Sequence, residues 1–166
     1  MSNESAEIYQ EDLFLKAIED NKGIITKICY YYAKDAEEFH DLRQDVLTNM
    51  WAYRESFRGD SSISTWIYRL ALNTCISNLR KRKHRDGYVS IDSLAELKAE
   101  DHDLSAMHKE MHEIISRLSA EEKAIILLWL DDMSYEEIAA IVGCQRNTLA
   151  TRLRRIKEKI IRLSNS

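Results

Sequence analysis

The 166-residue sequence contains no proline and only four glycines. The residues that most often break or kink a helix are therefore nearly missing, and no segment alternates apolar and polar side chains as a half-buried strand does. Together these absences exclude a β fold and predict an all-α one. Cysteine is scarce too: Cys29, Cys75 and Cys144 are odd in number, widely spaced and form no CxxC pair, which excludes a dithiol or zinc motif and suits small buried residues. No apolar run approaches the roughly 20 residues that a membrane span needs. The opening MSNESAEIYQED lacks the basic start and apolar stretch of a secretory signal, so the chain is expected in the cytoplasm. No Gly-rich phosphate loop, HExxH or nucleophile paired with a base is present, so neither an enzyme nor a bound cofactor is expected. His108 and His112 stand four apart on one predicted helix, but no third ligand accompanies them, and they read as a surface pair rather than a metal site.

What is present is charge, 24 basic against 28 acidic residues, and its distribution matters more than its net of -4. Residues 1–60 hold 13 acids to 7 bases, 61–90 hold 1 to 6, 91–122 hold 9 to 3, and 123–166 hold 5 to 8. Two basic stretches thus alternate with two acidic ones, a pattern that fits nucleic-acid contact at two separate places. Helical periodicity runs from about residue 11 to 83, with breaks near 32–39 and at 57–62, where Gly59 and Asp60 signal a turn. Residues 1–10 read as a tail. Residues 86–103, with six acids to one lysine, read as a linker, and periodicity returns from 104 to the end. The prediction is two small helical domains, 11–85 and 104–166.

In the second domain Ser119-Ala-Glu-Glu122 and Ser134-Tyr-Glu-Glu137 are capping boxes, each announcing a helix. Gly143 closes the second of these helices and turns the chain into another, as the tight link of a helix-turn-helix requires. In that last helix Leu149, Leu153, Ile156 and Ile160 form an apolar seam, and Asn147, Thr151 and Arg154 fall opposite. Asparagine can pair with adenine, arginine with guanine, and the threonine methyl can touch thymine. Arg146, Arg152 and Arg155 flank this face and suit phosphates, with Thr148 beside them. The plainer alternative is a helical hairpin with a solvated basic face.

In the first domain Leu42, Val46, Met50, Tyr53 and Phe57 recur at helical spacing as a buried stripe, and Asp41, Gln44, Asp45 and Thr48 share another face. Further on, Trp66, Arg69, Asn73, Ser77 and Arg80 line one helical face. Unpaired bases stack on aromatic rings and guanidinium planes, so this face could hold single-stranded DNA, although a tryptophan at helical spacing also suits a core.

The order of three segments, DLRQDVLTNMW, FRGDSSISTWIYRLALN and NLRKRK, closely resembles region two of extracytoplasmic function sigma factors, and the segment LSAEEKAIILLWLDDMSYEEIAAIVGCQRNTLATRLRRIKEKI resembles their region four. The resemblance spans nearly the whole chain apart from the first ten residues and the linker. It implies a factor that binds core RNA polymerase, directs it to promoters and promotes strand opening. Asp41, Leu42, Gln44, Asp45 and Leu47 match the segment that docks on the coiled coil of the polymerase's largest subunit. Arg58, Gly59, Asp60, Ser61 and Ser62 match the loop that captures a flipped base of the downstream promoter element. Trp66, Tyr68, Arg69 and Asn73 match the strand-opening helix, and Arg80, Lys81, Arg82 and Lys83 the part that meets the adjoining duplex. The last helix matches the reader of the upstream element, but Gln145, Asn147 and Ala150 stand where the family usually has serine, glycine and lysine, which alters the expected helix cap and base preference. An anti-sigma partner is a further family expectation, and in such factors an acidic linker threads a polymerase channel. The competing reading is a helix-turn-helix regulator that binds an operator without polymerase.

Overall fold

A computed structural model describes the backbone of residues 3–86 and 106–166. Its eight helices, among the described residues, are α1 (Asn3–Asp20), α2 (Lys22–Tyr32), α3 (Ala36–Ala52), α4 (Ile63–Asp86), α5 (Ala106–Ser116), α6 (Ala120–Leu130), α7 (Tyr135–Val142) and α8 (Arg146–Ser164), with a single 3-10 turn at Arg54–Ser56. The all-α prediction holds. The acidic linker predicted at 86–103 lies, beyond Asp86, outside the described residues, as do the side chains of Lys83 and His108.

Helix α1 begins eight residues earlier than periodicity suggested, so the segment read as a tail is helical from Asn3. No glycine or proline interrupts this helix. The turn around Asn21, whose side-chain amide donates to the Ala17 carbonyl at 2.7 Å, was not predicted. The other boundaries follow from local chemistry. Asp35 caps α3 by accepting from the Glu38 backbone at 2.8 Å. Both predicted capping boxes form: Ser119 accepts from Glu122 N and Ser134 from Glu137 N, and each glutamate accepts from its serine's backbone N–H at 2.9 Å. Gly143 ends α7 at φ 77, the left-handed conformation that its position requires.

Helices α2, α3 and α4 pack through Ile25, Ile28, Cys29, Val46, Met50, Ile67, Ala71 and Cys75. In the other half α6, apolar from Ala124 onward, lies at the centre, its Ala124, Ile125, Ile126, Leu127 and Leu128 all buried, with α7 and α8 packed on it and α5 packed on α8. The two halves do not stand apart. Tyr32 Oη donates to the Ala120 carbonyl at 2.7 Å, and Asp131, in the turn after α6, accepts from both Lys27 and Tyr68. Their buried residues form one continuous apolar cluster. His112 belongs to this seam rather than to the surface. It is 3% exposed, its Nε2 lies 2.9 Å from the Tyr30 carbonyl, and its ring stacks on Tyr31. Its spacing from His108 said nothing of the tyrosines supplied by α2.

Candidate nucleic-acid interface

The docking segment lies on α3. Asp41, Gln44 and Asp45 are exposed there, as their shared polar face predicted, and Leu47, assigned by resemblance, is exposed beside them. Leu42 is not: with Val46 and Met50 it points into the core, 3% exposed, so it supports this face from beneath instead of presenting it. Tyr53 departs from the predicted buried stripe in the opposite sense. Helix α3 ends at Ala52, so Tyr53 leaves the helical register and is 59% exposed. Trp51 was missed by the sequence reading. It is 39% exposed beside Leu47 on α3, with the Arg54 guanidinium 4.1 Å from the centre of its ring. A cavity of about 320 Å³ flanks the start of α3, with the carboxylates of Glu37, Glu38, Asp41 and Asp45 and the basic groups of Lys34, Lys81 and Arg82 all along its lining.

The loop between the 3-10 turn and α4 carries Arg58, Gly59, Asp60 and Ser62 exposed and Ser61 half-buried. Gly59 has φ 79, which makes the turn sharp enough to present its neighbours. Ser62 already has a task, since its Oγ accepts from the Thr65 backbone N–H at 3.2 Å at the start of α4. Next to the 3-10 turn, whose Ser56 borders it, α3 and α4 enclose a groove of about 470 Å³. Arg69, Asn73 and Ser77 line it from α4, Asn49 from α3 and Tyr53 from just beyond it, while Lys81 stands at its end. Asn49 donates to Thr74 Oγ1 at 3.0 Å, and Asn78 donates to Asp45 at 2.9 Å. Neither Asn49 nor Asn78 was singled out from sequence, although each lies four residues from one that was.

Two aromatic residues assigned to the opening helix, Trp66 by periodicity and resemblance and Tyr68 by resemblance alone, are buried. Trp66 borders the groove but is only 8% exposed, because Phe14 of α1 and Phe57 cover its ring at 5.8 and 5.9 Å between centroids. Tyr68, also buried, faces the opposite way and donates to Asp131, and burial raises its hydroxyl pKa. The basic run is divided. Arg80 pairs with Glu121 at 2.5 Å, and Arg82 pairs with Glu38 in a largely buried contact, while Lys81 is the one of the three described side chains that reaches the groove.

The second candidate surface is α8. Arg146, Asn147, Thr148, Thr151, Arg152, Arg154 and Arg155 are all exposed, and Leu149, Leu153 and Ile156 are all buried against the rest of the module. Gln145 makes no side-chain cap bond, as expected of its departure from serine. Arg146 ties the two helices of the motif together: its Nε donates to Glu136 at 2.6 Å and its guanidinium lies 5.5 Å from the Tyr135 ring centre. The carboxyl of Glu136 falls below the usual range because its own backbone N–H and then Arg146 bond to it. Thr151 Oγ1 donates to the Asn147 carbonyl at 3.2 Å, which commits its hydroxyl hydrogen to the helix. What α8 offers outward is therefore guanidinium, carboxamide and methyl, the groups suited to phosphates and base edges in a major groove.

Comparison with known proteins assigns this arrangement. Residues 17–85 match the model for Sigma-70 region 2 and residues 108–160 that for Sigma-70 region 4. The chain is 29% identical over 144 residues to the RNA polymerase sigma factor SigV of Bacillus subtilis, covering 86% of each chain. It is 31% identical over 137 residues to the ECF RNA polymerase sigma-E factor of Escherichia coli, covering 72% of this chain and 70% of that one. Among solved structures, the sigma factor RpoE in complex with the anti-sigma factor NepR from Bartonella quintana superposes with a TM-score of 0.71 at 24% identity, over 93% of this chain and 96% of that one. CnrH in complex with the cytosolic domain of CnrY superposes at 0.69 and 18% identity, over 93% and 89%. The protein belongs to the extracytoplasmic function sigma factors of the sigma-70 family and acts as an RNA polymerase sigma factor.

Proposed function

We propose that this chain divides the work of promoter recognition between its two halves, with Asp41, Gln44, Asp45 and Leu47 docking on core polymerase, the α3–α4 groove and its loop holding the melted downstream element, and α8 reading the upstream element as duplex. The observation that carries this reading is the exposure of the polar face of α8 in full while its apolar seam is buried. The groove adds support, because it combines guanidinium, carboxamide and hydroxyl groups, a setting that suits an extruded base and its backbone. The chain is not an enzyme in this reading. Polymerase performs the chemistry, and it also supplies much of the phosphate attraction that a chain of net charge -4 lacks. Work with polymerase places it in the cytoplasm. Two similar solved structures are complexes with an anti-sigma factor and with a cytosolic partner domain, which supports an anti-sigma partner here as well.

The test is run-off transcription: purified chain added to core polymerase should start transcripts at sites that core alone ignores. Failure on every genomic template would sink the reading in favour of an operator-binding regulator. Asp45→Arg should abolish co-purification with polymerase while leaving the fold intact, because the side chain is exposed. Unchanged co-purification would remove Asp45 from the docking face.

A further inference from the structure

A hollow of about 760 Å³ lies between α1, the 3-10 turn and the start of α4. Its apolar lining is Leu13, Phe14 and Ala17 of α1 together with Phe57 and Ile63 across from them. Leu13 is 50% exposed and the other four are half-buried, so this surface is open rather than part of the core. Its charged lining is Glu7, Glu11, Glu55 and Arg54. Arg54 is already engaged: it pairs with Glu11 at 3.6 Å, donates to the Trp51 carbonyl at 2.8 Å and lies over the Trp51 ring. Among the described residues no ion pair engages Glu7 or Glu55. The hollow shares no lining residue with the α3–α4 groove, and none of Asp41, Gln44, Asp45 and Leu47 borders it.

We propose that this hollow is the docking site for a basic amphipathic helix of a partner protein. An open apolar surface flanked by charge is where such a helix seats one or two large side chains. Free carboxylates repel phosphate, which disfavours nucleic acid here, and they complement lysine or arginine set beside the apolar anchors. The anchors would meet Phe14 and Phe57, the same two rings that cover Trp66 at the border of the groove. A bound helix therefore holds α1 against the body of the first half while leaving the groove and the polar face of α3 uncovered. Its partner can act on the chain before or after that chain has joined polymerase.

The experiment titrates the full chain with a fluorescent amphipathic peptide of leucine, lysine and alanine, and with a second peptide in which glutamate replaces lysine. The lysine peptide should bind, more weakly as salt rises, and the glutamate peptide should not. Replacing Glu7→Gln and Glu55→Gln together should lower the affinity about fivefold, as two exposed ionic contacts contribute. Leu13→Ser should lower it as well by removing apolar contact, and because half of that side chain is exposed the thermal midpoint should stay where it is. Glu37→Gln, in the cavity beside α3, should leave the affinity unchanged. Hydrogen exchange in α1 should slow when the peptide binds. Binding of both peptides alike, binding of neither, or an equal loss from Glu37→Gln would overturn the proposal. So would concentration-dependent self-association of the chain that Leu13→Ser abolishes, which would give the hollow to a second copy.

Discussion

Arg154 is exposed two turns into α8, on the side opposite the buried Leu149, Leu153 and Ile156. A guanidinium there either forks onto a guanine edge or lies on a phosphate, and the two differ in what its loss does. Arg154→Ala, measured by competition binding of holoenzyme to a set of upstream-element variants, should cost about 1 to 3 kcal/mol at one base position and relax preference there. Equal weakening across the whole set would make it a phosphate contact. Arg146 should behave otherwise, since Glu136 and the Tyr135 ring already engage it. Its removal takes away a tie between α7 and α8, both of whose ends are more than half exposed, so little stability is at stake.

At the scale of elements, the turn of the helix-turn-helix depends on one backbone conformation. Gly143 has φ 77 and open space around the position of a Cβ, so a side chain there meets no clash and only the backbone objects. Gly143→Ala should therefore destabilise by about 1 to 2 kcal/mol. Gly23 makes the contrast, because it lies within α2 without positive φ and also has open space. Gly23→Ala should stabilise by about 0.5 to 1 kcal/mol. Denaturant midpoints that moved in the same direction for both would refute the assignment. Elements of this kind were legible in the sequence because their determinants lie within a few residues of one another: each capping serine is three residues from its glutamate, and Gly143 follows its helix directly. Much of the candidate site was legible for the same reason, through the exposed face of α3 and the whole of α8. Trp66 was not, because the Phe14 ring that covers it comes from α1, more than fifty residues earlier, and periodicity within α4 cannot report a partner outside it. The same holds for Tyr68, whose hydroxyl is claimed by Asp131 across 63 residues.

Over the whole molecule, the two halves meet through a few polar anchors set in a shared core. Asp131 accepts from Lys27 of α2 and Tyr68 of α4, so Asp131→Ala leaves two partly buried donors unpaired and should cost about 1 to 3 kcal/mol in urea unfolding. His112 makes the same seam sensitive to pH. Burial lowers its pKa from the usual 6.5 and outweighs the hydrogen bond to the Tyr30 backbone, which raises it; Lys123 adds a smaller lowering, and the Ala33 backbone and Glu113 still smaller raises. The folded state therefore favours the neutral ring, whose N–H can donate to the Tyr30 carbonyl. A group whose folded pKa is depressed contributes stability that is fully present above its unfolded pKa and lost as pH falls through the folded one. The thermal midpoint should accordingly fall as pH drops below about 6.5. His112→Gln keeps a donor for the same carbonyl but cannot titrate, so it should remove that part of the slope and leave the carboxylate-driven part at lower pH. Hydrogen exchange adds a spatial check: acidification should deprotect the end of α2 and α5 together, since the ring joins them. Identical midpoint-versus-pH curves for the unmodified chain and His112→Gln would show that the seam does not titrate through this residue.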